Sequence, residues 1–95
     1  MTVSSLLPAA TAYLPESGSV TMFSTSWCGY CARLKAQLSR EGIPFAVVDI
    51  EGDPEAALVV EQVNDGNQTV PTLIFPDGSA ATNPSVIEVR RRLAS

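Results

Sequence analysis

The sequence predicts a small α/β domain in which three helices flank a four-stranded mixed sheet, in the order β-α-β-α-β-β-α. Short β-rich runs alternate with segments whose apolar residues recur at helical spacing, which is typical of strand–helix–strand units. A Pro-Asp-Gly turn at residues 76–78 separates two further short runs and indicates a β-hairpin. The chain has 95 residues, of which 45% are hydrophobic, and this is enough for one core but not for two.

The N-terminal half contains the first strand–helix–strand unit. The run from Val20 to Ser24 predicts the first strand. The next segment has apolar residues at i, i+3 and i+7 and is predicted to be a helix that ends near Gly42, because glycine readily adopts the left-handed conformation of a helix end. Those apolar residues are Cys31, Leu34 and Leu38. The run from Phe45 to Ile50 is almost continuously apolar, which predicts a strand covered on both faces.

The C-terminal half contains two helices and the hairpin. Asp53, followed by a proline, predicts the start of the second helix, since aspartate caps a helix and proline suits its first turn. The hairpin strands are expected at residues 72–75 and 79–82. Asn83, again followed by a proline, predicts the cap of the last helix. The inner face of that helix is predicted to carry Val86, Val89 and Leu93. We expect right-handed crossovers and parallel pairing in both strand–helix–strand units, with an antiparallel edge at the hairpin.

Residues 1–18 contain three helix- and strand-breaking residues and no sustained periodicity, so we expect an N-terminal extension before a domain at residues 19–95. The apolar stretch at residues 6–12 ends in a triplet that resembles a signal-peptide cleavage site. No Lys or Arg precedes it, however, and Pro8 interrupts it. The sequence therefore favours a short extension over a cleaved signal.

Composition excludes several classes of function. The net charge of −4, with only six Lys and Arg residues, argues against nucleic-acid binding. No apolar run approaches the roughly 20 residues of a membrane helix. A small secreted chain usually carries several disulfides, whereas this one has two cysteines. We therefore expect a cytoplasmic monomer.

The two cysteines, Cys28 and Cys31, stand in C-x-x-C spacing at the predicted start of the first helix. A helix N-terminus has unpaired N–H groups and a partial positive charge, which favour a thiolate and lower the pKa of a cysteine thiol. A disulfide within this pair would close a tiny loop and add little stability, so the pair indicates chemistry. We interpret Cys28 as a nucleophile. Cys31, on the inward face, is either a resolving thiol or a small buried hydrophobic residue.

The segment Thr69-Val70-Pro71 comes just before the third strand, and the strand order is expected to place it opposite the C-x-x-C motif. Although few X-Pro bonds are cis, this combination favours a cis Val70–Pro71 bond. Such a bond would turn the Val70 backbone outwards, where it can pair with an extended substrate segment. The alternative is a proline that merely begins an edge strand.

Taken together, these motifs resemble the glutaredoxin branch of the thioredoxin fold over about residues 19–95. Segments 27–31, 69–72, 77–79 and 82–85 are most similar to the actinobacterial mycoredoxins. Mycoredoxins reduce mixed disulfides between proteins and mycothiol.

The resemblance implies a mechanism, a set of site residues and a co-substrate. Cys28 would attack the mycothiol sulfur of a mixed disulfide, and a second mycothiol or Cys31 would regenerate the enzyme. The substrate-binding residues would be Trp27, Gly29, Tyr30, Thr69, Val70, Pro71, Thr82 and Asn83. No bound cofactor and no metal are expected. Mycothiol would be the reducing co-substrate, with NADPH acting indirectly through mycothiol disulfide reductase. The partners would be mycothiolated or disulfide-containing proteins.

Departures from common glutaredoxins favour a thiol other than glutathione. Common members have proline where this chain has Gly29, and a glycine pair where it has residues 82–85. Arg33 and Lys35 lie one turn beyond the cysteines, where they would either stabilise a thiolate or simply face solvent, the usual fate of helix-surface charges.

Several alternatives remain open. One is a redoxin that thioredoxin reductase reduces and that donates electrons to ribonucleotide reductase. Another is a glutathione-dependent glutaredoxin, or one that binds an iron–sulfur cluster through Cys28. A monomeric zinc module is excluded, because a closed site needs four ligands and the chain has two cysteines and no histidine.

Overall fold

The computed structural model describes residues 12–94, and the expectations for residues 1–11 lie outside this range. The strands are β1 (Val20–Ser24), β2 (Phe45–Asp49), β3 (Thr72–Ile74) and β4 (Ala80–Thr82), and the helices are α1 (Gly29–Arg40), α2 (Pro54–Val63) and α3 (Val86–Ala94). A short 3-10 turn, Ile50–Gly52, connects β2 to α2. The predicted element order is confirmed.

The four strands form one mixed sheet in the order β2-β1-β3-β4. β1 is parallel to β2 and antiparallel to β3, and β3 is antiparallel to β4. The expected mixed sheet is confirmed, but the parallel pairing expected for the second strand–helix–strand unit is wrong. The segment 64–71 after α2 returns the chain to the end of the sheet at which β1 finishes. As a result, the first residue of β3, Thr72, pairs with Phe23 near the end of β1. This return brings the start of β3 next to the start of α1.

Packing on the two faces of β1 builds the core. Every residue of β1 is buried. Side chains such as Met22 pack on one face with α1 and α3, whereas Phe23 packs on the other face with α2. The inner faces predicted for α1 and α3 are confirmed. No residue of β2 is fully buried and three of its five residues are exposed, so the prediction that both of its faces are covered is wrong. Its position at the edge of the sheet explains the exposure.

Helix boundaries follow local capping chemistry. Asp53 caps α2 as predicted, since its Oδ1 accepts hydrogen bonds from the backbone N–H groups of Glu55 and Ala56 at 3.1 and 3.2 Å. The prediction that Asn83 caps α3 is wrong. Ser85 is the cap, because its Oγ accepts the N–H of Glu88 at 3.1 Å.

Tyr13 ties the segment that precedes β1 to the sheet. Its ring packs edge-to-face on Phe23, with 5.2 Å between the ring centroids. Its hydroxyl donates to Oδ2 of Asp53 at 3.1 Å, and its carbonyl accepts the Thr21 hydroxyl at 2.7 Å. Partial burial, and then the nearby carboxylate of Asp53, raise the pKa of Tyr13. Asp53 thus holds both the start of α2 and this segment.

We predict that Asp53→Ala lowers the free energy of unfolding by about 1–2 kcal/mol, because it removes the cap of α2 and the acceptor of the Tyr13 hydroxyl. Asp53→Asn is the matched control, since asparagine still caps a helix well. Urea denaturation followed by circular dichroism measures the difference. Equal losses in the two variants would contradict the capping role.

Candidate active site

The two cysteines form a disulfide at the N-terminus of α1. Cys28 is the capping residue, and its Sγ accepts the backbone N–H of Cys31 at 3.0 Å. Its carbonyl accepts the N–H of Ala32 at 3.2 Å, which begins the helix. Both cysteines are buried, with 8% of Cys28 and 0% of Cys31 exposed. The predicted helix start and the inward position of Cys31 are confirmed.

This arrangement is suited to thiol–disulfide exchange. When the disulfide opens, a sulfur anion at Cys28 would retain the N–H donor and the positive end of the helix dipole. The first turn of α1 contains no acidic residue that would oppose that charge. Both effects favour the thiolate, which is the reactive form in exchange.

Glu51 holds the loop that leads to Cys28. Its Oε1 accepts hydrogen bonds from the Ser26 backbone N–H at 3.3 Å and from the Ser26 hydroxyl at 3.1 Å. Its Oε2 accepts the indole N–H of Trp27 at 2.9 Å. The hydrogen bonds from Ser26 and then Trp27 lower the pKa of Glu51. The Trp27 side chain is 72% exposed, so it is fixed by this contact and still presented to solvent.

Sequence reasoning missed Glu51. It lies in the 3-10 turn that follows β2. Asp49 caps this turn, because its carboxylate accepts the backbone N–H of Glu51 at 2.8 Å. The signal that was available is the position of this acidic residue, two residues beyond the end of β2, which is parallel to β1. Parallel strands end at the same edge of a sheet, so this carboxylate reaches the loop after β1.

The segment Thr69-Val70-Pro71 has the predicted cis Val70–Pro71 bond. The Thr69 carbonyl accepts the Thr72 hydroxyl at 2.8 Å, and the Pro71 carbonyl accepts the backbone N–H of Asn83 at 2.7 Å. Among residues 12–94, neither backbone polar group of Val70 has a protein hydrogen-bond partner. The Val70 side chain packs against the cluster that contains both cysteines. Val70 thus has an unpaired backbone N–H and C=O and packs against the cluster that contains the disulfide.

A groove of about 370 Å³ runs between the start of α1 and the start of α3. Tyr30, Arg33 and Gln37 line it from α1, and residues 83–87 line it from the other side. Tyr30 and Asn83, which were both predicted to bind substrate, thus line the same groove, whereas Lys35 is not part of the lining. A larger cavity of about 460 Å³ lies around the start of β1 and β2, at the end of the sheet remote from the disulfide.

Two predicted binding residues have distinctive surroundings. The Thr82 hydroxyl donates to Oδ1 of Asn64 at 2.6 Å, so its proton is already engaged within the protein. Gly29 is the first residue of α1, and a Cβ added there would meet no atom within 4 Å. The backbone therefore does not require glycine at this position.

Residues 12–94 contain no group of three or more His, Cys, Asp and Glu side chains placed to hold a metal ion. Within the same range, no helix is long and apolar enough to cross a membrane.

We predict a pH transition in the contact between Glu51 and Trp27. Trp27 is the single tryptophan of the chain, so fluorescence anisotropy reports its mobility. Anisotropy should be high at neutral pH and should fall as the pH drops through the lowered pKa of Glu51, below the 4.5 of an ordinary glutamate, because the neutral carboxyl is a weaker acceptor. In Glu51→Ala, anisotropy should be low throughout, without this transition.

Glu41 provides the matched control for this titration. It is another glutamate of the chain, and it pairs with Arg90 at 3.1 Å. Glu41→Ala should retain the wild-type transition of Trp27. A transition that persisted in Glu51→Ala would assign the effect to another acid.

Comparisons with known proteins agree with this geometry. Residues 20–79 match the sequence profile of the Glutaredoxin family. The chain is 51% identical over 77 residues to a glutaredoxin-named protein of Mycobacterium tuberculosis, which covers 81% of this chain and 92% of that protein. It is 44% identical over 70 residues to Mycoredoxin 1 of Corynebacterium glutamicum, with coverages of 74% and 86%.

Solved structures give the same result for the fold. The crystal structure of the glutaredoxin from Methanosarcina mazei aligns with a TM-score of 0.69 and 27% identity, covering 83% of this chain and 81% of that one. The thioredoxin fold and the resemblance to mycoredoxins expected from the sequence are thereby confirmed. The chain belongs to the glutaredoxin family and is a thiol–disulfide oxidoreductase.

Proposed function

We propose that this glutaredoxin reduces mixed disulfides between proteins and mycothiol in the cytoplasm, with Cys28 as the nucleophile. The observation that carries the proposal is the helix-capping position of the Cys28 sulfur, which accepts the Cys31 N–H at 3.0 Å, in a chain 44% identical to Mycoredoxin 1. Cys28 is the more accessible of the two cysteines, since Cys31 is fully buried. A bulky mixed disulfide therefore reaches Cys28 first.

The reaction proceeds by two exchanges. The Cys28 thiolate attacks the mycothiol sulfur, the mixed disulfide breaks, and the target protein leaves as a thiolate that takes a proton from solvent. Mycothiol is now bound to Cys28 through a disulfide. A second mycothiol thiolate attacks this mycothiol sulfur, releases the Cys28 thiolate and forms mycothiol disulfide. One free mycothiol thiol is thus the reductant in each turnover, and NADPH then reduces the mycothiol disulfide to two thiols through mycothiol disulfide reductase.

Cys31 offers a second route for release. Its thiolate attacks the Cys28 sulfur and expels mycothiol, which leaves the Cys28–Cys31 disulfide seen here. This route needs a separate reduction of that disulfide before the next turnover. We propose that the mycothiol route carries the turnover.

The groove beside Tyr30 supports mycothiol as the preferred thiol. Its lining combines one charged side chain, Arg33, with hydrogen-bonding groups such as Gln37 and Ser85 and with the exposed apolar side chain of Ile87. Mycothiol presents a sugar and an inositol without charge, which suit hydroxyl and amide partners. Glutathione presents two carboxylates, for which Arg33 is the only cation in this lining.

The other residues predicted to bind substrate are assigned roles around Cys28. The Val70 peptide, next to Thr69 and Pro71, pairs with the backbone of the bound cysteine unit. Trp27, on the loop held by Glu51, contacts the target protein. Tyr30 and Asn83 hold the thiol in the groove.

We predict that wild type and Cys31→Ser reduce a mycothiol mixed disulfide, whereas Cys28→Ser falls to background, because only Cys28 performs the first attack. The measurement is NADPH oxidation coupled to mycothiol disulfide reductase, with 2-hydroxyethyl–mycothiol disulfide as the substrate. A matched assay with glutathione and its reductase should give a lower kcat/KM. Turnover with thioredoxin reductase, and none with either low-molecular-weight thiol, would instead assign a redoxin that serves ribonucleotide reductase.

We also predict that Ile87→Ala raises the KM for the mycothiol mixed disulfide about fivefold, the factor for roughly 1 kcal/mol of lost apolar contact. Ile87 is 65% exposed in the free groove, so its truncation should leave the fold intact. Leu58→Ala is the matched control, because Leu58 is 46% exposed on α2 and outside the groove. An equal KM in the two variants would place the thiol elsewhere.

A further inference from the structure

We propose that Asn64, at the end of α2, is a positioning residue for substrate binding, which it controls through a chain of hydrogen bonds to Thr69. The inference deepens the proposed function and rests on it, since it concerns the segment that pairs with the substrate. Asn64 does not line the groove beside Tyr30. Its effect must therefore pass through other residues.

The chain of hydrogen bonds links α2, both hairpin strands and the 69–71 segment. The Thr82 hydroxyl donates to Oδ1 of Asn64 at 2.6 Å, and Nδ2 of Asn64 donates to Oγ1 of Thr72 at 3.1 Å. The Thr72 hydroxyl then donates to the Thr69 carbonyl at 2.8 Å. Thr72 and Thr82 are paired neighbours on β3 and β4, so the sheet register fixes the distance between them.

In all three hydrogen bonds the donor lies on the Thr82 side and the acceptor on the Thr69 side, and the contacts of Asn64 determine this direction. Nδ2 of Asn64 also donates to the Val60 carbonyl at 2.8 Å. A carbonyl can only accept, so this bond fixes which end of the Asn64 amide is the NH₂ group. The Nδ2 donor occupies one lone pair of Thr72 Oγ1, and the single Thr72 proton is left for the Thr69 carbonyl. Bonds aligned in this way strengthen one another.

The chain determines which peptide group the segment presents. The carbonyls of Thr69 and Pro71 are both engaged within the protein. The backbone N–H and C=O of Val70, between them, have no protein partner among residues 12–94. If the Thr72 bond is lost, the Thr69 carbonyl is free to turn, and the orientation of the Val70 N–H changes with it. Substrate pairing with Val70 should then weaken, whereas Cys28, on the loop after β1, keeps its own contacts.

Stability alone does not account for every bond in this chain. Thr72 is fully buried and needs a partner for its hydroxyl, which the Thr69 carbonyl supplies. The bond from Asn64 is additional to that requirement, and so is the bond from the exposed Thr82 hydroxyl. Both additional bonds act on the orientation of the Thr72 hydroxyl.

The test compares Thr72→Val and Asn64→Ala with two matched controls. Thr72→Ser keeps the hydroxyl, and Asn67→Ala removes an exposed amide from the same loop that donates only to the Asn64 backbone carbonyl. We expect Thr72→Val and Asn64→Ala to raise the KM for the mycothiol mixed disulfide about tenfold with kcat nearly unchanged, the usual size of one lost hydrogen bond. The double variant should be no worse than Thr72→Val, because both changes break one chain.

Two further readouts separate positioning from general damage. The rate at which iodoacetamide alkylates reduced Cys28 should stay within about twofold of wild type, since the contacts of its sulfur are intact. Hydrogen exchange of the 69–72 peptide should accelerate in Thr72→Val and Asn64→Ala, but not in the controls. A wild-type KM in Thr72→Val, additive losses in the double variant, or an equal fall in alkylation would overturn the proposal.

Failure of the proposed function would look different. If wild type did not reduce the mycothiol substrate, the same variants would be compared on the disulfide that wild type does reduce. The tenfold KM effect, the coupling and the exchange pattern should then appear there. Normal exchange of the 69–72 peptide in Thr72→Val would overturn the positioning role whatever the thiol.

Discussion

Strand β1 is buried along its whole length and is paired on both edges, in parallel with β2 and antiparallel to β3. The other parts of the site depend on this double pairing. The parallel strand β2 finishes at the same end of the sheet as β1, which places Glu51 against the loop before Cys28. The antiparallel strand β3 begins at this same end of the sheet, which places the cis Val70–Pro71 bond there as well. One strand therefore brings together the cysteine pair, the carboxylate that holds its loop, and the unpaired backbone N–H and C=O of Val70.

Single groups in this small domain serve both folding and chemistry. The Cys28 sulfur takes the place of the oxygen that usually caps a helix, so the bond that begins α1 also prepares the sulfur for reaction. Asp53 caps α2 and holds the Tyr13 hydroxyl. Thr72 fills the core and supports the 69–71 segment. Substitutions at such residues will change activity and stability together, and conservative variants are needed to separate the two.

Much of the fold could be predicted from the sequence because its signals are local. Gly42 has the positive φ expected of a helix end, the Asp53 cap is present, and the element order follows from periodicity. The direction of β3 could not be predicted in this way, because it depends on where the segment after α2 returns to the sheet. The exposure of β2 was missed for a related reason, since an apolar run does not reveal whether its strand lies at an edge.

At the site, the motifs indicated the positions of the cysteine pair and of the cis bond, but not the hydrogen bonds made from other elements. The disulfide and the cis bond lie where the motifs placed them. Glu51 and Asn64 reach the site through tertiary contacts that no spacing rule encodes. The cap of α3 could have been predicted from the sequence, because Ser85 and Glu88 form the Ser-x-x-Glu pattern of a capping box.

The difference in burial between the two cysteines has a consequence for oxidative damage. A peroxide that enters the site meets Cys28 first, because Cys31 is sealed in the core. The resulting sulfenic acid at Cys28 lies within reach of the Cys31 thiol, and the two condense to the disulfide with release of water. This step competes with further oxidation to sulfinic and sulfonic acids, which thiols do not reverse. The buried cysteine thus diverts Cys28 from an irreversible lesion to a disulfide from which the enzyme recovers.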